Sequence, residues 1–319
     1  MEQTHVVAEA DDFEDNGTKY EESSLASLTA NNREHRTENG RTYHSMSAGN
    51  YNLTLDDGLA VAPAHKTARR VLDMGRGTGV WAIEYDERPQ LICWQAIGVD
   101  LSPTQSEWAP SNCVFEIDDL EEDWTWTRPF DYVFCRTMEG SFADPPAVVR
   151  KAYKAPAPGG WFEAGGFVLP LGCDDGTLLE VSSLRQWQEL MIEAGYTAGR
   201  SIESAAKYAD AIANAGFVDI TVKRYNWAPN SWPRDAKLKD IGKWHNANLN
   251  LGLEALSLAL FTHALGWSQE EVLALCAGVW KDLKNKNTHA YWNVQVTYAR
   301  KPEKVFDEDQ EGMPLAQQF

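Results

Sequence analysis

Three glycines at alternate positions, directly after a short apolar segment, constrain the fold of this chain more than any other feature; they are Gly75, Gly77 and Gly79. Glycine has no Cβ atom, so such a segment can turn sharply and lie close to a ligand. A helix is predicted from about Val80, and its free N–H groups and positive dipole end would face the turn. The segment therefore predicts a strand, a tight turn and a helix that together bind a nucleotide-type cofactor.

A second apolar segment, Ala96 to Val99, ends in Asp100 and is followed by Leu101. Asp100 lies roughly 20 residues past the glycine turn, where the carboxylate of a βαβ unit usually accepts hydrogen bonds from two ribose hydroxyls. Either segment alone is weak evidence, because glycine-rich turns are common. Together they predict a cofactor site on two strand ends; a sheet whose turn binds nothing is the alternative.

Glycine spacing and charge distinguish between two classes of cofactor. A dinucleotide-binding turn needs the pattern G-x-G-x-x-G, which would place its third glycine at Val80. The predicted first strand also ends at Asp73, whose carboxylate would repel a pyrophosphate but attract an ammonium group. S-adenosylmethionine has an amino-acid end and no phosphate, so this charge favours it over NAD. An oxidoreductase that uses NAD is the rival prediction.

Two later segments fit the same sheet. Cys113 to Asp119 reads as a third strand that ends in paired acids, and Asp119 is predicted to accept a hydrogen bond from an adenine amino group. A solvated turn is the alternative for Asp119. Phe130 to Arg136 is an apolar run of strand length, and residues just past such a strand face the ligand crevice. Three candidates for the reaction chamber follow from this: Arg136, Met138 and Glu139.

Composition limits the classes of function. The chain has 319 residues and is 43% hydrophobic, which suits one large α/β domain. Its net charge of −18 argues against direct binding of nucleic acid, which needs clustered Lys and Arg, and against an anionic membrane surface. The five cysteines show no C-x-x-C pair, so no metal site or disulfide framework is expected. We expect a cytoplasmic protein, with the nucleus as the alternative.

The chain divides into three parts. Residues 1–37 are acidic and polar and are predicted to form a disordered tail, and residues 303–319 form a second polar tail. The region 38–302 between them is predicted to be one domain with a helical insertion around 232–288 on the substrate side.

The C-terminal half is rich in tryptophan and contains two candidate general bases. Stacked aromatic rings would suit a flat, apolar acceptor, although core packing is the alternative for any single tryptophan. His245 and His289 could each act as a general base, because imidazole titrates near neutrality. A surface or capping role is the alternative for both histidines.

Several segments resemble the class I S-adenosylmethionine-dependent methyltransferases: Val71 to Gly79, Gly98 to Pro103, Phe130 to Ser141 and Pro158 to Glu163. Others resemble, more narrowly, the fungal LaeA-like methyltransferases of secondary metabolism: Glu38 to His44, Leu53 to Asp56 and Trp232 to Trp292. The resemblance covers residues 38–302. It departs from the family at Arg76, where a small residue is usual, and after Tyr51, where a further helical segment is usual and is lacking here.

The resemblance implies an α/β fold, a Rossmann-like doubly wound sheet of seven strands with a helical cover. It implies methyl transfer from S-adenosylmethionine to a small-molecule acceptor in a fungal biosynthetic pathway. A cofactor-binding regulatory partner of secondary-metabolite gene expression, working with another protein, is the alternative. The implied cofactor-binding residues are Tyr43, Asp73, Gly75, Gly77, Gly79, Asp100, Leu101, Asp119, Leu120 and Arg136.

Overall fold

The computed structural model describes residues 59–86, 94–102 and 109–303, and the backbone of two short antiparallel strands, β1 (Arg36–Glu38) and β2 (Arg41–Tyr43). The side chain of Tyr43, the junction after Tyr51 and most of the two predicted tails lie outside these residues. Residues 36–38 pair with β2, so strand β1 overlaps the end of the predicted N-terminal tail, residues 1–37.

A seven-stranded sheet forms the centre of the fold. Its strands are β3 (Arg70–Met74), β4 (Gln95–Asp100), β5 (Cys113–Ile117), β6 (Phe130–Arg136), β7 (Pro156–Gly172), β8 (Val218–Trp227) and β9 (Tyr291–Arg300). The spatial order is β5-β4-β3-β6-β7-β9-β8. All neighbours are parallel except β9, which is antiparallel to β7 and β8. The predicted doubly wound sheet is confirmed, and its strand order reverses at β3, where open α/β sheets bind ligands.

Six α-helices are described: α1 (Val80–Asp86), α2 (Pro145–Lys154), α3 (Ser183–Thr197), α4 (Ser204–Ala215), α5 (Ala236–Ala264) and α6 (Gln269–Lys284). Helices α2 and α4 pack on one face of the sheet, and α1 and residues 59–68 cover the other. Helices α3, α5 and α6 form a separate apolar cluster beside β7 and β9. A capping box starts α6, where the side chains of Ser268 and Glu271 each accept a hydrogen bond from the other residue's backbone N–H. None of the described helices is both long and apolar enough to span a bilayer.

A buried carboxylate ties the segment before β3 to the sheet. Glu163, on β7, is 2% exposed. Its Oε2 accepts hydrogen bonds from the backbone N–H groups of Val61 at 2.9 Å and Ala62 at 2.6 Å, and from the Tyr132 hydroxyl at 2.9 Å. Buried polar groups are costly unless they are paired, so the carboxylate and the three donors depend on one another.

Removing this carboxylate should destabilise the protein. We expect Glu163→Ala to lower the free energy of unfolding by about 3–5 kcal/mol, because three donors lose their acceptor. Glu163→Gln keeps an acceptor oxygen and should cost about 1 kcal/mol. Urea unfolding followed by tryptophan fluorescence measures both values, and equal stabilities for the two variants would contradict the assignment.

Candidate functional site

The glycine turn after β3 has a backbone conformation that favours glycine at three positions. Gly75, Gly77 and Gly79 have φ angles of +71°, +53° and +81°, in the left-handed region. The N–H groups of Gly75 and Arg76 both donate to the carbonyl of Val99 at 3.0 Å. The turn is therefore fastened to the end of β4, so the two strand ends predicted to form the cofactor site are adjacent.

Two of the three glycines are also required for close packing. A Cβ atom at Gly75 would lie 2.0 Å from the Met138 sulfur, and one at Gly79 would lie 2.5 Å from the Phe115 ring. A Cβ atom at Gly77 would meet nothing within 4 Å. The turn is thus packed at both ends and has open space over its middle.

Asp100 holds the turn from the end of β4. Its Oδ2 accepts from the Gly77 N–H at 2.9 Å, and its Oδ1 accepts from the Ser102 N–H at 3.1 Å. Each carboxylate oxygen can accept a further hydrogen bond, so ribose hydroxyls could still bind. The neighbouring Leu101 is 42% exposed at the same strand end.

Asp73 is a buried acid with an unsatisfied oxygen. Its residue is 4% exposed, and its Oδ2 has no hydrogen-bond partner among the described residues. Burial raises the pKa of Asp73 from 3.8 to about 7, although Arg136 and Arg76 favour the charged form. An acceptor of this kind is suited to the ammonium group of a ligand.

The two arginines near Asp73 differ in their environment. Arg76 is 5% exposed; its guanidinium donates to the carbonyls of Gly98, Gly77 and Ser102 and lies 5.0 Å from the Phe115 ring centroid. Arg76 therefore stabilises the turn through these hydrogen bonds and does not point to solvent. Arg136, at the end of β6, is half-buried; its guanidinium lies 5.5 Å from the Phe134 ring centroid, makes no direct hydrogen bond or ion pair within the described residues, and acts on Asp73 and Glu163 at longer range.

The end of β5 supplies the remaining predicted cofactor residues. Asp119 is half-buried, and its Oδ1 accepts from the Glu121 N–H at 2.8 Å. Leu120 is buried in the core at 5% exposure. The adenine contact of Asp119 therefore stays a prediction, with one of its oxygens occupied by a turn.

An apolar cavity of about 250 Å³ opens at the carboxyl ends of β6 and β7, under helices α3 and α5. Its wall includes the apolar side chains of Phe167, Leu169, Trp187, Met191, Leu249 and Trp292. Its polar lining residues are Thr137, Glu139, Gln188 and His245. Thr137 and Glu139 line the cavity, whereas Met138 between them lies on Gly75. The cavity and the glycine turn are therefore separated by one short segment after β6.

A larger cavity, of about 390 Å³, lies at the opposite edge of the sheet. It is lined by residues that include Trp124, Trp126 and Phe130, the first residue of β6. It is therefore remote from the strand ends beside the glycine turn, and of these two cavities, both lined by described residues, the smaller one lies next to that turn.

His245 is the candidate base that the structure places in the small cavity. It is 5% exposed, and its ring stacks on Phe167 at 5.4 Å and meets Trp292 edge-on at 5.1 Å. Its Nδ1 lies 3.1 Å from the carbonyl of Ala228, which only accepts, so Nδ1 carries the proton and Nε2 is the free acceptor. Burial lowers the pKa of His245 from 6.5 to about 4, which keeps the ring neutral.

His289 lies away from the cavity. Its Nδ1 pairs with Asp175 at 2.5 Å, and its backbone N–H donates to Thr177 at 2.8 Å. The structure therefore brings only one of the two candidate histidines to the site.

Glu139 and Gln188 complete the polar lining. Glu139 accepts a hydrogen bond from the Phe167 N–H, and burial raises its pKa from 4.5 to about 7. Gln188 is 2% exposed; its Oε1 accepts from the Leu171 N–H at 2.9 Å and the Trp292 Nε1–H at 3.1 Å, which fixes the amide. Sequence reasoning missed Gln188, because nothing in the helical pattern of α3 distinguishes it from a surface glutamine.

Known proteins resemble this chain over most of its length. A family model described as a methyltransferase domain matches residues 48–222. Methyltransferase pytC of Aspergillus terreus is 35% identical over 303 residues, 88% of this chain and 92% of pytC. The probable methyltransferase tdiE of Emericella nidulans is 34% identical over 252 residues, 79% of this chain and 78% of tdiE. The secondary metabolism regulator laeA of Aspergillus fumigatus is 32% identical over 291 residues, 83% of this chain and 76% of laeA.

These matches agree with the sheet order and with the acid-ended glycine turn. The family match covers more than half of the chain, and its relatives include both enzymes and regulators. The rival prediction of an NAD-dependent oxidoreductase is therefore wrong. The chain belongs to the class I S-adenosylmethionine-dependent methyltransferases, within their fungal LaeA-like group.

Proposed function

We propose that this methyltransferase acts on a small, flat, largely apolar molecule of fungal secondary metabolism, bound in the 250 Å³ cavity. The observation that carries the proposal is the position of that cavity, one residue away from the glycine turn at Met138. Its aromatic walls suit a planar acceptor. Its volume is below the range of about 300–1,000 Å³ that is usual for ligand pockets, which agrees with a small acceptor. The similarity to pytC and tdiE supports a small-molecule acceptor.

The residues around the turn fit S-adenosylmethionine. The unpaired oxygen of Asp73 would accept from its ammonium group, and Asp100 would hold its ribose. Arg136, whose guanidinium makes no direct ion pair within the described residues, would attract its carboxylate. When bound, the cofactor supplies a methyl group made electrophilic by the sulfonium.

The protein's own contribution is alignment and exclusion of water. The aromatic walls remove the acceptor from solvent, and the fixed Gln188 amide and the His245 ring limit its orientations. Holding two reactants in one geometry can supply about 7–11 kcal/mol of the barrier. No metal is needed for this proposal, and no cluster of metal-binding side chains occurs among the described residues.

Cofactor binding tests the proposed site. We expect Asp100→Ala to weaken binding of S-adenosylmethionine by about a hundredfold in calorimetry, because it removes the ribose acceptor and frees the Gly77 N–H. Asp210→Ala, an equal charge change on the exposed side of α4, should bind normally. Full affinity in Asp100→Ala would remove Asp100 from the site.

The similarity to laeA supports a second candidate, a regulatory protein that binds the cofactor and works with a protein partner. Metabolite profiles of a deletion strain distinguish the two functions. Loss of an enzyme should leave one product lighter by a methyl group. Loss of a regulator should instead remove whole sets of products.

A further inference from the structure

We propose that the acceptor carries a phenolic hydroxyl group and that Glu139 accepts its proton. This inference rests on the proposed function and deepens it, since it names the substrate class and a catalytic residue for the same cavity.

Glu139 lies where the cavity meets the glycine turn. It lines the cavity, and the residue before it, Met138, lies on Gly75. Its Oε1 accepts from the Phe167 N–H, and a Cβ atom at Gly166 would lie 1.7 Å from that oxygen. The glycine therefore lets the carboxylate sit directly against the backbone of β7. The carboxylate also accepts from its own backbone N–H, and because each carboxylate oxygen can accept more than one hydrogen bond, it can still bind an occupant of the cavity.

Among the described residues, no positive charge lies close enough to Glu139 to hold it permanently ionised. The titratable groups that face it are Cys135 on β6 and Tyr208 on α4, both kept neutral because burial raises their pKa, and β7 contributes only a backbone N–H. His245 on α5 lines the same cavity and is neutral as well. With a pKa of about 7, against about 4 for His245, Glu139 is the stronger base near neutral pH.

The pKa of Glu139 indicates which acceptor groups this carboxylate can deprotonate. A phenol has a pKa of about 10, near enough to about 7 for transfer to Glu139 to be only moderately unfavourable. Water has a pKa of about 15.7, so hydroxyls that are comparably weak acids are poor partners for this carboxylate. A planar phenol also fits the walls formed by Phe167, Trp187 and Trp292.

The proton and the electrons balance in a single displacement. The phenol O–H bond breaks and its proton passes to Glu139, while an oxygen electron pair forms the new bond to the methyl carbon. The electron pair of the broken carbon–sulfur bond returns to sulfur. Glu139 afterwards releases the proton to water as the product leaves.

Binding of 2-naphthol and its methyl ether, 2-methoxynaphthalene, tests the inference on the full-length protein without knowledge of the natural acceptor. Fluorescence titration between pH 6 and pH 8 should show naphthol affinity rising about tenfold, because the ionised carboxylate accepts the O–H and forms through a pKa of about 7. The ether has no proton to donate, so its affinity should not rise with pH. This comparison needs no variant.

Two variants locate the effect. Glu139→Gln should abolish the rise in naphthol affinity, and Glu193→Gln, on the exposed side of α3, should retain it. Naphthol affinity that does not change with pH, or an ether that binds as tightly as naphthol at pH 8, would overturn the inference. So would a pH dependence that survives Glu139→Gln but is lost in His245→Gln.

Binding of S-adenosylmethionine is measured on the same samples, so that failure of this inference can be distinguished from failure of the proposed function. If S-adenosylmethionine binds and naphthol shows no dependence on Glu139, only this inference fails. If S-adenosylmethionine does not bind, the proposed function fails, whatever naphthol does. Formation of 2-methoxynaphthalene, with kcat rising through pH 7, would support both.

Discussion

Gly79→Ala should lower the free energy of unfolding by about 2–5 kcal/mol and weaken binding of S-adenosylmethionine by at least a hundredfold. Two costs add: a left-handed backbone costs a non-glycine residue about 1–2 kcal/mol, and overpacking costs about 1–3 kcal/mol more. The overpacking arises because the new Cβ atom would lie 2.5 Å from the Phe115 ring. Relief requires movement of the turn, which would displace the surface that we propose receives the cofactor.

Gly77→Ala is the matched control for this prediction. Gly77 also has a positive φ, +53°, but a Cβ atom there would meet nothing within 4 Å. Its cost should therefore be the backbone cost alone, about 1–2 kcal/mol. Chemical denaturation gives the stabilities and calorimetry gives the affinities. Equal losses of stability in the two variants would show that packing against Phe115 is not what requires glycine at position 79.

Asp73→Asn should stabilise the protein without cofactor and at the same time almost abolish cofactor binding. The pKa of Asp73 is raised by burial from 3.8 to about 7, so at pH 8 the folded protein carries a charge that burial disfavours, at a cost of about 4 kcal/mol at most. Asparagine has nearly the same shape and no charge. The same substitution removes the proposed anionic partner of the ligand's ammonium group, which should cost about 3–5 kcal/mol of binding, roughly 150-fold to 4,000-fold in affinity.

The buried carboxyl group of Asp73 also predicts the direction in which stability changes with pH. Because the folded state binds this proton more tightly than the unfolded state, native stability should fall as pH rises from about 4 to about 7 and then level off. The advantage of Asp73→Asn should therefore be largest above pH 7 and vanish near pH 4. Asp118→Asn, at an exposed turn acid, should show no such trend. A variant less stable than the native protein at pH 8 would contradict the buried-charge explanation.

The cofactor half of the site could be predicted from sequence because its signals are local. Turn glycines and strand-end acids occupy fixed offsets along the chain, and the backbone conformation that needs them is decided within a few residues. Strand β3, which contains Asp73, and strand β4, which ends at Asp100, lie side by side as expected, with Asp73 opposite Gly98 in the register. The unexpected element was Arg76, because whether a guanidinium points to solvent or to carbonyls depends on what β4 places beside it.

The acceptor half could not be predicted in the same way. Phe167, Gln188 and His245 lie on three separate elements, β7, α3 and α5. The pattern of apolar residues within one element does not predict which side chains of another element pack against it. The two candidate histidines were equivalent in sequence, yet one lies in an aromatic cavity and the other pairs with Asp175 outside it. Burial, which shifts the pKa values of Glu139 and His245 in opposite senses, is a property of the assembled fold.

The sequence alone determined the family, the fold class and the residues of the glycine turn, because these follow from local patterns of apolar residues, glycine and acids. Only the tertiary structure decided which acid lacks a partner, which histidine is enclosed and where a carboxylate meets an apolar cavity. The reason is that solvation and packing are set by neighbours distant in the chain, and these neighbours meet only after the sheet and its helical cover have come together.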